Sequence, residues 1–432
     1  MNSIWCDSVR SVTFKEFQGE MQTDVLVIGG GIAGILCAYE LKKAGIDCSL
    51  AEADRICNGI TKNTTAKITV QHGLIYSKII QKHGKDEARL YLEAQMDAAN
   101  EYKRLCQNVQ CDYKEADSYV YSRRDYRKIE REAEALNSIG CTAELTQNTE
   151  LPFDDAYAVR IPNQAHFNPL KFLYEIAREL PIYENTKVLE ILPDGVSTNR
   201  GKIKAKKIIV CTHFPFVNKY GAYFLKLYQH RSYVIALKND FILNGMYVDE
   251  DEKGLSFRQY GDCLLLGGGS HRTGKKGGGW RELEYYASRY YPSAKTVYRF
   301  ATQDCMTLDG MPYIGQYSPK TPSVYVATGF NKWGMTSSMA AAKILVDLVQ
   351  GKENRYAHIF SPSRSIFHPQ LIVNAAESIL GLITPTAPRC PHLGCALKYN
   401  KQEHTWDCPC HGSRFTKDGS LIDNPATDDK KL

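Results

Sequence analysis

Nothing in this 432-residue chain reads as a membrane span. Its most apolar stretch, Val25 to Leu41, is broken by four glycines. The opening residues, Met1-Asn2-Ser3-Ile4-Trp5-Cys6-Asp7, have neither a basic n-region nor an apolar h-region, so no signal peptide is expected. A basic stripe interleaved with aromatics is missing as well, and a net charge of +6 is modest for this length. Nucleic acid is therefore not the expected partner. Internal repeats and low-complexity tracts are also lacking. Ten of the 14 cysteines (Cys6, Cys37, Cys48, Cys57, Cys106, Cys111, Cys141, Cys211, Cys263, Cys305) follow no disulfide-framework spacing. Several sit in apolar runs where a reduced thiol packs as a small hydrophobe. That usage suits a reducing, cytoplasmic setting better than secretion. With 43% apolar and 24% charged residues, the composition is that of a soluble globular protein with room for two or three domains.

What is present begins with Gly29-Gly30-Gly31-Ile32-Ala33-Gly34, a dinucleotide fingerprint. It follows the apolar run Asp24 to Ile28, opens a helical pattern from Ile35 to Ala44, and precedes a second strand, Ser49 to Glu52. That β-α-β context is what the motif requires. Gly29 permits the tight turn, Gly31 lets backbone approach a pyrophosphate at the helix N-terminus, and Gly34 allows close helix–strand packing. Glu52 falls where ribose hydroxyls are held. FAD and NAD share this fingerprint, so it leaves the two open. Further on, residues 85 to 108 and 123 to 138 are amphipathic and helical in pattern. From about 184 the chain turns to strands separated by glycine-rich loops, with helices predicted over Thr336 to Val349 and Gln370 to Leu380.

The second feature lies near the other end: Cys390-Pro391-His392-Leu393-Gly394-Cys395, then Cys408-Pro409-Cys410-His411-Gly412-Ser413. Two Cys and two His at C-x-H and C-x-x-H spacing match a [2Fe–2S] centre whose second iron takes imidazole. The same spacing also suits Zn²⁺. Two extra cysteines at matching offsets, Gly412-Ser413, and Asn424-Pro425-Ala426 as a third covering loop favour the cluster. The run resembles the Rieske family across both ligand boxes. The resemblance implies that Cys390 and Cys408 bind one iron, that His392 and His411 bind the other, and that Cys395 and Cys410 form a disulfide between the loops. Phe415 stands where the respiratory proteins have a tyrosine, so a potential below theirs is expected. The module is short, because Gly381 is followed almost directly by the first box. Its loops are therefore expected to lean on the rest of the chain.

From 24 to 350 the chain resembles the glycine-oxidase and sarcosine-oxidase branch of the D-amino-acid-oxidase-like flavoproteins. Three segments carry this: Gly59 to Lys67, Ile208 to His213, and Asp309 to Gly315 together with Ala327 to Thr336. The resemblance implies FAD as cofactor, with Asn63, Thr64, Thr65, Val188, Thr212, Gly329, Gly334, Met335 and Thr336 beside it. It also implies a helix N-terminus aimed at the flavin edge that gathers negative charge on reduction. The fold expected is α/β: a Rossmann-like FAD-binding domain with an interleaved antiparallel-sheet substrate domain, plus a small all-β Rieske domain. Residues 1–352 form the oxidoreductase part, with FAD-binding pieces at about 20–80, 160–215 and 300–352 and substrate or helical pieces at about 81–159 and 216–299. A connector at 353–384 and the Rieske domain at 385–432 complete it.

Lys67 aligns with a basic residue near the flavin, and Asp304 with the arginine that holds the substrate carboxylate in amino-acid oxidases. An acid there would repel a carboxylate and attract an ammonium. Both are candidate catalytic residues, each with an ordinary structural or surface role as the alternative. Cys305 lies in the region where sarcosine oxidases attach flavin, and His213, His230 and His271 are candidates to line the site. The reading is an FAD-dependent amine or amino-acid dehydrogenase passing electrons through the cluster to an external acceptor, a protein among the options. A reductase running the other way and a redox-sensing binding protein are the alternatives.

Overall fold

The computed structural model describes residues 3–430 apart from 218, 239–240, 252 and 386–387. Three sheets organise it. In the first, strand Gly19–Ile28 is central, pairing in parallel with Cys48–Ala51 on one side and Gly201–Val210 on the other. Val324–Thr328 continues the parallel order next to Gly201–Val210, and Ile182–Tyr183 extends it beyond Cys48–Ala51. The C-terminal halves of the two long strands, Val25 to Ile28 and Ile208 to Val210, are continuous buried apolar runs because both faces are covered there, as parallel sheets require, while their N-terminal halves are polar and largely exposed. Helices Ile32–Lys43, Lys85–Cys106 and Gly334–Val349 bury their apolar residues in one common core with this sheet.

The second sheet has nine strands and is antiparallel except where Met246–Asp249 runs parallel to Lys114–Ser122. Its largest strands, Leu227–Lys238 and Lys295–Thr307, pair along nearly their whole length. The divisions expected at about 160 and about 300 fall inside strands Tyr157–His166 and Lys295–Thr307. Ladder hydrogen bonding keeps each strand whole, so both belong to this second sheet. Helix Gly279–Tyr290 covers its outer face; the glycines at 277–279 masked that helix in the sequence.

The third sheet is a four-stranded antiparallel unit within residues 398–423. Helix Pro369–Ile383 leads into it, three residues longer at its C-terminal end than its pattern suggested. Among the described residues, no helix is long and apolar enough to cross a membrane.

Candidate functional site

The glycine motif sits at the strand-to-helix turn where the parallel sheet opens. Gly34 packs so tightly that a Cβ there would stand 1.8 Å from the Gly29 carbonyl oxygen. Only glycine lets the helix approach this closely. Glu52 accepts from Gly30 N at 2.6 Å and from Asp54 N at 2.9 Å. Burial nonetheless pushes its carboxyl up, against the pull of those two N–H groups.

A cavity of about 1430 Å³ runs from this turn along the face of the second sheet. Two helix N-termini open into it, Ile32–Lys43 and Gly334–Val349, and neither N-cap residue supplies a side-chain cap. Positive helix ends without their own anionic partner suit a pyrophosphate and an electron-rich ring edge. In size and lining the cavity fits a dinucleotide flavin.

Gly29, Gly31, Glu52, Thr64, Thr65, Val188, Thr212, Gly334 and Met335 all line it. Asn63, Gly329 and Thr336 do not. The Asn63 amide donates to the Gly59 carbonyl in an exposed turn. Gly329 is wedged against Thr307, and the Thr336 hydroxyl donates to the Thr69 carbonyl behind the wall. These three support the wall from outside.

Lys67 lines the cavity and is half-buried. Burial, aided by the Arg258 charge, lowers its pKa to about 7. Arg258 is fully buried, and among the described residues no carboxylate forms an ion pair with it. Its guanidinium donates to the Thr65 and Phe167 carbonyls, meets His166 Nδ1 at 2.9 Å and stacks over Trp5. Trp5 in turn donates to the Thr64 carbonyl at 2.8 Å. No sequence signal marked Arg258 or Trp5, since a lone arginine in a strand and an aromatic near the start look ordinary.

Asp304 lines the same cavity and accepts from Ser232 Oγ at 3.1 Å. Burial raises its pKa, opposed by Lys332, the Ser232 hydrogen bond, His213 and Arg231. Of the three histidines, only His213 lines the cavity. His271 instead meets Tyr233 OH at 3.1 Å, and His230 lies outside the lining. Cys305 faces Thr328 Oγ1 at 3.7 Å, and burial pushes its thiol up to about 12.

At the other site Cys395 and Cys410 are joined as a disulfide. The donors left are two thiols and two imidazoles. Cys408 donates towards Cys390, holding the Cys390 thiol down to about 7 while its own is pushed up. The His392 and His411 rings meet edge to face at 4.9 Å. His411 is 2% exposed, neither of its ring nitrogens reaches a hydrogen-bond partner, and burial lowers its pKa to about 3. A buried neutral imidazole with idle nitrogens, beside paired thiols, is the donor chemistry of a metal cluster with mixed ligation.

The two sites share a wall. Leu421 and Asp423, from the last strand, and Asn424 and Ala426, from the loop after it, line the flavin-sized cavity. Asn424 Nδ2 donates to the Thr212 carbonyl at 2.6 Å and to the Phe214 carbonyl at 2.7 Å, straddling His213. His213 Nε2 meets Gln229 Oε1 at 3.2 Å, and Gln229 Nε2 donates to the carbonyls of His411 (2.9 Å) and Asn424 (3.0 Å). Gln303 Nε2 bonds Gln229 Oε1 at 2.7 Å and the Gly412 carbonyl at 2.8 Å. A Cβ at Gly412 would come within 2.6 Å of Gln229, so the ligand loop presses directly on the second sheet. The Phe214 ring stands 6.5 Å from that of His411.

Residues 24–348 match the family described as FAD dependent oxidoreductase, and residues 364–431 match the Rieske [2Fe-2S] domain. The chain is 35% identical to the Rieske 2Fe-2S iron-sulfur protein YhfW of Bacillus subtilis (strain 168), over 98% of this chain and 96% of that one. It is 23% identical to gamma-glutamylputrescine oxidoreductase of Escherichia coli (strain K12), over 79% and 87% respectively. Among solved structures, glycine oxidase from Geobacillus kaustophilus superposes with a TM-score of 0.68 at 20% identity, covering 80% of this chain and 99% of that one.

Proposed function

From the premise that this chain belongs to the FAD-dependent oxidoreductase family and ends in a Rieske [2Fe–2S] domain, we propose that it oxidises a C–N bond and sends the electrons out through the cluster. FAD supplies the two-electron step and the cluster the one-electron exit. Substrate is an amine, or an amino acid held without an arginine clamp. The carrying observation is the shared wall: Thr212 and His213 line the cavity, Asn424 of the module bonds the Thr212 and Phe214 carbonyls, and Gln229 links His213 to the His411 carbonyl. A family fold alone would not need that contact.

On this reading the chain's own residues divide the work. The two helix N-termini and Lys67 hold the cofactor and favour negative charge on it. Asp304, buried and fixed by Ser232, offers a counter-charge for a substrate ammonium. The last loop closes the cavity's side against water. Cys390 and Cys408 would hold one iron, and His392 and His411 the other. Residues 1–352 are assigned to the flavin-dependent part and 385–432 to the cluster module.

Anaerobic titration with candidate amines tests this. Substrate should bleach the flavin absorbance and then raise the cluster's electron paramagnetic resonance signal without added reductant. Reduction of flavin only by a cluster-directed donor would reverse the flow. Absence of either response across amines and amino acids would remove the catalytic reading.

Lys67 gives a second check. Its charge is lost as pH rises through about 7. The rate of flavin reduction by substrate should fall above that pH, and Lys67→Met should flatten the profile. The variant's rate at pH 6 should drop about a hundred- to a thousand-fold, the scale of one lost electrostatic stabiliser. A profile unchanged by the substitution would return Lys67 to a packing role.

A further inference from the structure

Helix Pro369–Ile383 is amphipathic the wrong way round. Asn374, Glu377 and Gly381, three or four residues apart, face the protein. Asn374 takes Arg272 NH1 at 2.9 Å, and a Cβ at Gly381 would lie 2.5 Å from Cys410 Sγ. The opposite stripe is apolar and turned outward: Ile372 is 74% exposed, Ile379 58%, Leu380 54% and Ile383 69%. Phe367, 87% exposed, extends it at the N-terminal end. At the other end it continues onto the cluster loop, where Leu382 approaches Gly394 and Leu393 is exposed. Eight of the 18 large hydrophobic residues exposed among the described residues lie between 367 and 393, so this is a patch rather than the usual scatter.

We propose that this stripe lies on an anionic lipid surface as an in-plane helix, setting the cluster module against the bilayer. The charge pattern selects that occupant. Glu377, the helix's one charged residue, is cancelled by Lys275 at 2.6 Å. Arg389 closes the C-terminal end by donating to the carbonyls of Leu382, Gly394 and Thr384 while staying exposed. Lys276 is exposed beside Lys275. With Lys275 paired, the exposed Lys276 and Arg389 leave the rim cationic, and neither the helix nor residues 388–395 carry an uncompensated carboxylate, the complement of acidic headgroups. Apart from Phe367 its side chains are aliphatic and carry no polar group to specify a protein. Tyr, Trp and Met, which with Phe and Arg are enriched in the cores of protein interfaces, are absent from the stripe. A second copy would bring like cations together.

Sedimentation of the full holoprotein with vesicles tests this. Binding is expected to phosphatidylglycerol/phosphatidylcholine vesicles, weaker binding to phosphatidylcholine alone, and weakening by salt. The triple variant Ile372→Ser, Ile379→Ser, Ile383→Ser should lose at least about ten-fold in partitioning, from the apolar area removed. Its flavin absorbance, cluster signal and turnover with a soluble acceptor should be unchanged, since the three side chains face solvent. Lys276→Glu should lower binding to the acidic vesicles alone. No binding to either vesicle, binding that survives the triple substitution, or a concentration-dependent dimer abolished by it would each overturn the proposal, the last by assigning the stripe to a second copy.

Discussion

Replacing His411 by alanine is expected to cut turnover with an external acceptor by at least about a hundred-fold while anaerobic bleaching of flavin by substrate persists. The imidazole is buried between Phe214, Phe224 and the His392 ring. Cys395 and Cys410 are bonded to each other, so neither thiol can take its place. Loss of one ligand from a four-ligand site lowers metal affinity by more than the 10–100-fold typical of losing an outer-shell partner. The bonds from Gln229 and Gln303 reach the backbone carbonyls of His411 and Gly412, not the ring. The loop therefore stays docked, and the cavity wall at Thr212 to Phe214 keeps its shape. The measurement is a split one: stopped-flow absorbance for the flavin half-reaction, and steady-state rate with acceptor for the whole. If both fall together, His411 holds the architecture rather than the exit. If turnover is unaffected, electrons leave the flavin by another way.

Both cofactor motifs were legible because each packs its chemistry into a short stretch. The turn at Gly29 to Gly34 and the boxes at 390–395 and 408–413 depend on local spacing, which a sequence carries directly. The helix predicted from Thr336 followed from an apolar run after Gly329 and Gly334, and the strand ending at Val210 from the apolar run Ile208 to Cys211. What could not be read is what the fold brings together from afar. Gln229, Gln303 and Asn424 sit on three separate segments, and each alone is an unremarkable amide. Arg258 looks like a surface arginine in an alternating strand until the sheet turns it inward over Trp5. The expectation that the short module would lean on the body came from a count of missing strands. It named no contact, because contacts between segments 109 to 212 residues apart leave no local pattern. Helix Pro369–Ile383 shows the reverse problem. Its periodicity was plain, but periodicity does not say which face turns inward.

Glutamate 403 is the residue on which the docked module should depend most, and Glu403→Gln is expected to destabilise it by about 3 kcal/mol at neutral pH. Its carboxylate is 9% exposed and lies between two guanidiniums, Arg231 from the second sheet and Arg414 from the module. Tyr233 OH donates to it at 3.0 Å. Burial alone would raise its pKa, but the two arginines hold it down at about 2, from an ordinary value near 4.5. A shift of that size corresponds to about 3 kcal/mol, in line with the roughly 3–5 kcal/mol lost when one partner of a buried ion pair is removed. Arg414 keeps Asp407 at 3.1 Å and Asp423 at 2.9 Å in the variant, so the module's own sheet survives. Among the described residues no other carboxylate forms an ion pair with Arg231, and the damage falls on the junction. The sign with pH follows from the depressed pKa. The contribution is complete above about pH 4.5 and is lost as pH falls towards 2. Acid titration followed by the cluster's visible circular dichroism should show the native protein releasing its module in that window. The variant should start from lower stability and depend less on pH there. Equal acid profiles for the two proteins would mean that this carboxylate contributes nothing to holding the module in place.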